Sequence, residues 1–244
     1  MRLIFLFLSV ILCNTVFAAK SLNEFEKLKI AYPDTIQEIT KNYIAWPDGK
    51  RMQIKKFGLT DKYNAKKYRV DKSIGSISKL DVRHDSFEPF FRKMYGNSPR
   101  EVEKKLVTIY WLKNLYGKKY PLRVTTVNNV HKKLERISEN LEKLPVKYHK
   151  YVKTPASGYY WRNVAKESYL SMHSFGIAID INVKYSNYWL WDYMKSKKTL
   201  THLTLNNKIP MEIVEIFENE GFRWGGRWYH YDTMHFEYRP DEFV

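Results

Sequence analysis

Cysteine is almost absent from this chain. The only one among 244 residues is Cys13, which lies in the apolar stretch at the N-terminus. If that stretch is removed as a leader, the remaining chain can form no internal disulfide. It also has no thiolate to bind a metal or to attack a substrate. The composition therefore excludes disulfide-stapled folds, cysteine-ligated zinc sites and cysteine hydrolases.

Long hydrophobic runs are lacking as well. The most apolar stretch continues only from Leu3 to Leu12, with Arg2 before it and small residues after it. This pattern predicts an export signal at residues 1–19, because the run is too short for a stable membrane span. An uncleaved anchor is the alternative, and lipoprotein processing at Cys13 fits poorly because a bulky leucine precedes it. We expect the protein in the periplasm or at the cell surface.

Acidic residues are few relative to basic ones. The chain has 26 Asp and Glu residues against 42 Lys and Arg residues, which makes a formal net charge of +16. Such a charge attracts polyanions. For an exported protein we expect anionic wall polymers or membrane surfaces as partners, and we expect no nucleic acid. A merely solvated, lysine-rich surface would have the same composition, so charge alone does not decide the function.

One stretch combines chemically reactive residues at regular spacing. Residues 171–182 read Ser-Met-His-Ser-Phe-Gly-Ile-Ala-Ile-Asp-Ile-Asn. Its second half alternates apolar with small or polar residues as far as Val183, which predicts a strand whose polar face carries Asp180. A bend at Gly176 would bring His173 over that same face. An imidazole and a carboxylate aimed at one point favour a metal site.

A second stretch supplies a further imidazole. Residues 231–238 read Tyr-Asp-Thr-Met-His-Phe-Glu-Tyr, and the residues around His235 predict a strand. Asp232 lies three positions earlier, so a turn or bulge near Thr233 is needed to bring both side chains to one face. Two histidines and one carboxylate, with a fourth position for water, are typical of a catalytic rather than a structural zinc site.

The two motifs together resemble a known family. Ser-x-His-x-x-Gly-x-Ala-x-Asp followed by Asp-x-x-His-Phe-Glu is similar to the zinc D-alanyl-D-alanine carboxypeptidase family, which includes VanY-type carboxypeptidases and phage L-alanyl-D-glutamate endopeptidases. The flanks agree, with Gly-Tyr-Tyr-Trp-Arg at 158–162 and Gly-Phe-Arg-Trp-Gly-Gly-Arg-Trp at 221–228. The resemblance extends over residues 158–240.

This resemblance implies roles for the motif residues. His173, Asp180 and His235 would bind one zinc ion, and Asp232 would act as the general base. Zinc bound in this way lowers the pKa of a water molecule to roughly 7. Asp232 would take a proton during attack on the scissile carbonyl and return it to the leaving amine.

Four further residues are candidates for substrate contacts or support. The family has an arginine shortly before the first motif that binds a carboxylate or stabilises an oxyanion. Arg162 is the candidate for this role, and Arg123 is the alternative. Ser171 would shape the loop or touch substrate rather than act as a nucleophile. Glu237 shares a strand face with His235, so it could orient that imidazole or serve as a reserve base.

The chain before residue 98 carries few chemical motifs. We expect residues 20–97 to form an N-terminal accessory region, with a short helix ending near Pro33 and a hairpin turned by Asp-Gly at 48–49. A polar, mostly basic loop is predicted over 61–79. The charged cluster at 81–85 is interpreted as surface or cleft wall, because no second motif supports a metal site there.

Residues 98–244 are predicted to form the zinc peptidase domain. Helical spacing predicts a helix from 98 to 117, a second from 127 to 144 and a third from 210 to 221, with a short strand at 122–126. The resemblance implies an α+β fold of the hedgehog/D-Ala-D-Ala peptidase type. In it, an antiparallel sheet carries the zinc ligands and helices back that sheet.

Two aromatic runs lie near the motifs. Tyr-Tyr-Trp at 159–161 is suited to a strand that leads to Arg162. Tyr-Trp-Leu-Trp at 188–191 favours a position over the core, with the wall of a substrate groove as the alternative. His230 is interpreted as lying beside the metal site or on the surface, because its spacing matches no ligand of the family.

The expected function is an exported zinc metallopeptidase that hydrolyses the peptide stems of peptidoglycan. D,D-carboxypeptidase and related endopeptidase activities share these ligands, so the bond that is cut stays open. The alternative is a zinc-containing domain that binds wall peptide or protein without cutting, as the hedgehog signalling domain does. The presence of Asp232 favours the enzyme.

Overall fold

The computed structural model describes residues 24–54, 84–155, 157–165, 167–196 and 203–244. The predicted export signal, the basic loop at 61–79 and the side chains of the cluster at 81–85 lie outside this part of the chain. These three features stay predictions.

The described residues form helices and small antiparallel sheets. The helices are α1 (Glu24–Ala31), α2 (His84–Tyr95), α3 (Pro99–Glu103), α4 (Lys113–Tyr116), α5 (Val130–Glu142), α6 (Val146–Val152), α7 (Trp189–Lys195) and α8 (Met211–Glu218). The strands are β1 (Glu38–Ile39), β2 (Tyr43–Ala45), β3 (Arg51–Gln53), β4 (Leu106–Tyr110), β5 (Pro121–Thr125), β6 (Ala178–Asp180), β7 (Phe222–Trp224) and β8 (His235–Tyr238). They pair as β1-β2-β3, β4-β5 and β6-β8-β7. This mixed architecture is compatible with the predicted α+β class.

The N-terminal elements follow the local sequence signals. Helix α1 ends two residues before Pro33, which cannot continue a helix. Strands β2 and β3 form the predicted hairpin, and Gly49 in its turn has a φ of 77°. Glycine adopts that conformation without the steric cost that a side chain would bring. Both predictions are confirmed.

The single helix predicted from 98 to 117 is wrong. Helix α3 begins at Pro99 as expected but ends at Glu103, and Leu106–Tyr110 is strand β4. This strand pairs along its whole length with β5. The run Leu-Val-Thr-Ile-Tyr is rich in β-branched and aromatic residues, which favour a strand when a partner lies beside it. That composition outweighs the helical spacing of the apolar residues.

Helices α5 and α8 cover the sheets. The stripe of Val130, Leu134, Ile137 and Leu141 on α5 is fully buried, as the predicted helical spacing requires. Helix α5 packs against β4, β5 and α8, and α8 packs against β7. Phe217 of α8 stacks on Phe236 of β8 with ring centroids 3.9 Å apart. Helix α8 therefore backs the sheet β6-β8-β7.

The described residues before position 98 share a core with those after it. Tyr32, the residue after α1, lies edge-on to Tyr238 of β8, with ring centroids 6.3 Å apart. Phe91 of α2 lies beside Phe175, with ring centroids 6.0 Å apart. The domain boundary at 97/98 stays a prediction. These contacts nevertheless pack the N-terminal elements against Phe175 and Tyr238, which belong to the two motifs.

Two segments near the motifs differ from expectation. Strand β6 covers only Ala178–Asp180, and Val183 is 40 % exposed at the start of a 3-10 turn, so the predicted alternation ends earlier. Residues 159–162 form no strand. They are held instead by two backbone bonds: Tyr159 N–H donates to Arg123 O at 3.1 Å, and Tyr160 N–H donates to His173 O at 3.2 Å.

No helix among the described residues combines the length and the apolar character that crossing a membrane requires.

Candidate metal centre

Three side chains from separate elements converge at one end of the sheet β6-β8-β7. Asp180 ends β6 and His235 begins β8, and the two are direct cross-strand partners. His173 lies in a 3-10 turn, Met172–Phe175, that Gly176 ends with a φ of 68°. A Cβ at Gly176 would lie 2.7 Å from Leu106 Cδ2, so the bend requires glycine for both conformation and space. The predicted bend at Gly176 is confirmed.

The distances within this trio suit a cation with tetrahedral coordination. His173 Nε2 lies 3.1 Å from Asp180 Oδ1 and 3.2 Å from His235 Nδ1, and His235 Nδ1 lies 3.0 Å from Asp180 Oδ1. Ligands about 2.0–2.1 Å from a tetrahedral zinc ion would be separated from one another by roughly 3.3 Å. Two imidazoles and a carboxylate are also the donor types that zinc takes in catalytic sites. The residues present therefore fit a zinc ion, with at least one position left for another ligand.

Each imidazole has a partner on its far nitrogen. His173 Nδ1 lies 2.6 Å from the carbonyl oxygen of Gly158 and 3.3 Å from Ser157 Oγ. His235 Nε2 lies 3.1 Å from Glu237 Oε2. These acceptors assign the ring protons to His173 Nδ1 and His235 Nε2, which leaves a lone pair on each of the two nitrogens that face Asp180. The protein thus orients both ligands before any cation binds.

The pKa values of Asp180 and His235 show which charges the trio favours. Burial raises the pKa of Asp180, but the charges and hydrogen bonds of His173 and His235 outweigh it and hold that pKa well below its usual range. Burial lowers the pKa of His235, but hydrogen bonds to Asp180 and Glu237 raise it to about 10. The centre therefore favours positive charge, which a divalent cation would supply by replacing the proton.

Asp232 lies beside the trio, and its backbone contacts Gly225. Its N–H donates to Gly225 O at 3.0 Å, and a Cβ at Gly225 would come within 2.5 Å of Asp232 O. His235 N–H donates to Asp232 O at 3.2 Å, which closes the turn that the three-residue spacing predicts. Glycine at position 225 is therefore needed so that the turn at Asp232 can approach the end of β7 closely.

The carboxylate of Asp232 is set up to exchange a proton. Its Oδ1 is buried and accepts no hydrogen bond from any residue of the described chain. Burial raises its pKa and the charge of Asp180 raises it further, to about 7, against the opposing effects of His235 and Arg162. A bound cation would shift the balance toward the carboxylate form. An oxygen of this kind is suited to accept a proton from a water in the cleft.

A cleft of about 230 Å³ opens onto these residues. Arg162, Ser171, Asp232, His235 and Glu237 all contribute to its lining. The rest of the wall is Val164, Ala165, Glu167, Tyr169, Met172, Tyr188, Trp189, Trp228 and His230. The site is therefore a concave pocket with a few convergent polar groups, as is usual for binding small substrates.

The two candidate arginines lie in different places. Arg162 lines the cleft, where its charge lowers the pKa of Asp232. Arg123 on β5 lies over the ring of Tyr159, with its guanidinium carbon 5.1 Å from the centroid, and Nη1 is 3.8 Å from Glu103 Oε1. It is not among the residues that line the cleft. The geometry favours Arg162.

Two other candidates have structural contacts in the site. Ser171 is buried and caps the 3-10 turn, because its Oγ accepts from His173 N–H at 3.4 Å. Glu237 contacts His235 as predicted from their shared strand face. His230 lines the cleft and packs on Trp189, with ring centroids 4.3 Å apart, and is not in the metal trio.

Some functional contacts have no signal in the sequence. Ser157 donates from Oγ to Asp180 Oδ2 at 3.0 Å while touching His173, so it braces two ligands at once. It precedes them by 23 and 16 residues, and no local pattern marks it. Tyr188 and Trp189 pack partly on the core, as favoured, but they also line the cleft, which is the alternative interpretation.

Comparison with known proteins identifies one family. A family model described as D-alanyl-D-alanine carboxypeptidase matches residues 165–238. The matched segment includes His173, Asp180, Asp232 and His235, whereas Arg162 precedes it. No curated protein and no solved structure matches the chain. The match confirms the resemblance predicted from the two motifs: residues 165–238 carry the signature of the D-alanyl-D-alanine carboxypeptidase family.

Proposed function

We propose that this protein is a zinc-dependent peptidase that hydrolyses the peptide stems of peptidoglycan. The observation that carries the proposal is the convergence of His173, Asp180 and His235 beside a cleft that is lined by His235 and Asp232. The family match supports peptidase chemistry. The three-stranded sheet backed by α8 supports a fold of the hedgehog/D-Ala-D-Ala peptidase type.

In this proposal His173, Asp180 and His235 hold the ion. When bound, zinc supplies Lewis-acid chemistry, polarising a carbonyl and lowering the pKa of a water to roughly 7. Asp232 takes the proton of the attacking water and returns it to the leaving amine. Arg162 faces the same cleft and binds the carbonyl oxygen as negative charge develops, or a carboxylate of the substrate.

A non-catalytic zinc domain would need the same three ligands but no proton acceptor beside them. Asp232 meets that additional requirement of an enzyme, because its Oδ1 is buried without a donor among the described residues. Export and attraction to anionic wall polymers belong to the same proposal. The leader-like N-terminus and the net charge of +16 support them.

The two arginines give a prediction that separates the interpretations of the cleft. Arg162→Ala should lower kcat by roughly 10²–10³-fold, since a donor to developing charge is lost. Arg123→Ala should change kcat only a few-fold, because Arg123 contacts Tyr159 and Glu103 instead. Both variants should retain zinc. The measurement is steady-state hydrolysis of a purified stem peptide together with metal content. A large loss for Arg123→Ala alone would assign the role to Arg123.

Incubation with purified muropeptides tests the proposed substrate. Zinc-loaded protein should convert them to products whose masses identify the bond, and a chelator should stop the reaction. Loss of one alanine would indicate a carboxypeptidase, and separation of cross-linked dimers would indicate an endopeptidase. Unchanged muropeptides with zinc-loaded protein would contradict the proposal and favour the binding domain.

A further inference from the structure

A buried ionic cluster begins at Glu237, which contacts His235 and also lines the cleft. Its centre is Arg239, which is 2 % exposed. Three carboxylates surround it, those of Glu237, Asp241 and Glu242. None of these four residues belongs to the metal trio, and none of them is Asp232. Burying such a cluster costs free energy, and it seldom stabilises a fold more than an apolar core would. We therefore expect it to position a neighbouring side chain.

The cluster forms a continuous path from the metal ligand. His235 Nε2 contacts Glu237 Oε2 at 3.1 Å, and Glu237 Oε1 lies 3.6 Å from Arg239 Nη1. Arg239 then donates to Asp241 through Nε at 3.0 Å and through Nη2 at 2.8 Å. The two parallel bonds fix the plane of the guanidinium. Arg239 therefore presents its positive charge to Glu237 Oε1, the carboxylate oxygen that does not contact His235.

The path continues to the N-terminal part of the chain. Tyr32, the residue after helix α1, donates its hydroxyl to Asp241 Oδ1 at 2.7 Å, across 209 positions of sequence. Tyr32 is fully buried, and its ring packs on Phe90 and Tyr238. The guanidinium of Arg239 also lies over the ring of Phe91 in α2, 5.5 Å from its centroid. Tyr32 and helix α2 thus contact Asp241 and Arg239, the residues that lie behind Glu237.

We propose that Arg239 and Asp241 are positioning residues for the metal centre, and that through them Tyr32, the residue after helix α1, takes part in orienting His235. Glu237 contacts the His235 ring, and Arg239 forms an ion pair with Glu237. Asp241 accepts hydrogen bonds from Arg239 and from the Tyr32 hydroxyl. The residues 24–54 are then needed for tight metal binding in addition to any effect on substrate. This inference rests on the metal centre of the proposed function but not on its peptidase activity, so its readout is the affinity for zinc alone.

Glu237→Gln tests the inner part of the path. The neutral amide has one oxygen and one NH₂ group, so it loses the charge that pairs with Arg239 Nη1 at 3.6 Å, and its NH₂ must face either His235 Nε2 or that guanidinium. We expect the Kd for Zn²⁺, measured by competition with a chromogenic chelator, to rise roughly ten- to hundredfold. Unchanged zinc affinity would overturn the role of Glu237.

Tyr32→Phe tests the outer part. The change deletes one hydroxyl and keeps the ring, so the packing of α1 should be preserved. We expect the Kd for Zn²⁺ to rise roughly two- to thirtyfold. Tyr43→Phe is the matched control, because the Tyr43 hydroxyl contacts Glu38 at the surface of the same N-terminal part, 3.2 Å away. An equal effect of the two variants would contradict the proposal.

A double-mutant cycle decides whether the path is continuous. If Tyr32 acts through Glu237, Tyr32→Phe should have little further effect on zinc affinity in the Glu237→Gln background. Full additivity would mean that no such path exists. Asp241→Asn provides a second entry to the cycle if Tyr32→Phe does not fold, as judged by circular dichroism.

His173→Ala separates this inference from the proposed function. Loss of zinc in His173→Ala but not in the Tyr32 and Glu237 variants would overturn only the positioning role. Retention of zinc by His173→Ala would overturn the metal centre itself.

Discussion

His173→Ala should abolish both zinc retention and peptide hydrolysis. The substitution removes one of three ligand atoms that lie 3.0–3.2 Å apart, and the two remaining residues do not complete a tetrahedral site. Loss of the ion removes several kcal/mol of transition-state stabilisation, which corresponds to roughly 10³-fold or more in rate. Metal content after dialysis and turnover of a stem peptide would be measured on the same sample.

His131→Ala is the matched control for that variant. His131 lies on helix α5, outside the metal trio, and alanine is well accepted in a helix. The control should keep its zinc and its turnover. An active His173→Ala protein, or one that binds a full equivalent of zinc, would remove the basis for assigning the centre.

Asp232→Asn should lower kcat by roughly 10²–10⁴-fold while the protein keeps its zinc. Asparagine has nearly the same shape but does not act as a base near neutral pH, so the attacking water loses its acceptor. The backbone contacts of residue 232 to Gly225 and His235 do not involve the side chain and should persist. Steady-state kinetics with the metal content of each sample would separate loss of the base from loss of the ion.

Asp34→Asn serves as the control for charge removal, because Asp34 is exposed and lies outside the lining of the cleft. It should behave like the unmodified protein. If Asp232→Asn retained full turnover, the general base would have to lie elsewhere. Glu237, whose Oε2 contacts His235, would then be the next carboxylate to test.

Much of the metal centre could be predicted because its signals are local. His173 and Asp180 occur seven residues apart around a glycine bend, and Asp232 and His235 occur three apart around a turn. The structure brings the two histidines and Asp180 together as expected. Gly176 at a φ of 68° is the type of position that glycine marks in a sequence.

Elements whose state depends on a partner were harder to predict. The residues of β4 have helical spacing, yet they pair with β5, because a neighbouring strand satisfies their backbone groups and packs their β-branched side chains. The aromatic run at 159–161 has strand-like composition but forms none. Helix α6 begins directly after Pro145, where the sequence pattern predicts only the end of the helix at 127–144.

The sequence by itself determined which chemical groups are available: the imidazoles of His173 and His235 and the carboxylates of Asp180 and Asp232 in two short motifs, and no thiol outside the N-terminal stretch. Only the tertiary structure decided that Ser157 braces two of the ligands, that Arg162 rather than Arg123 lines the cleft, and that Tyr32 contacts the ionic cluster that begins at Glu237. The physical reason is the separation in sequence between the interacting residues. Bends and strand faces follow from neighbouring residues, whereas these contacts join distant positions and exist only once the helices pack on the sheets.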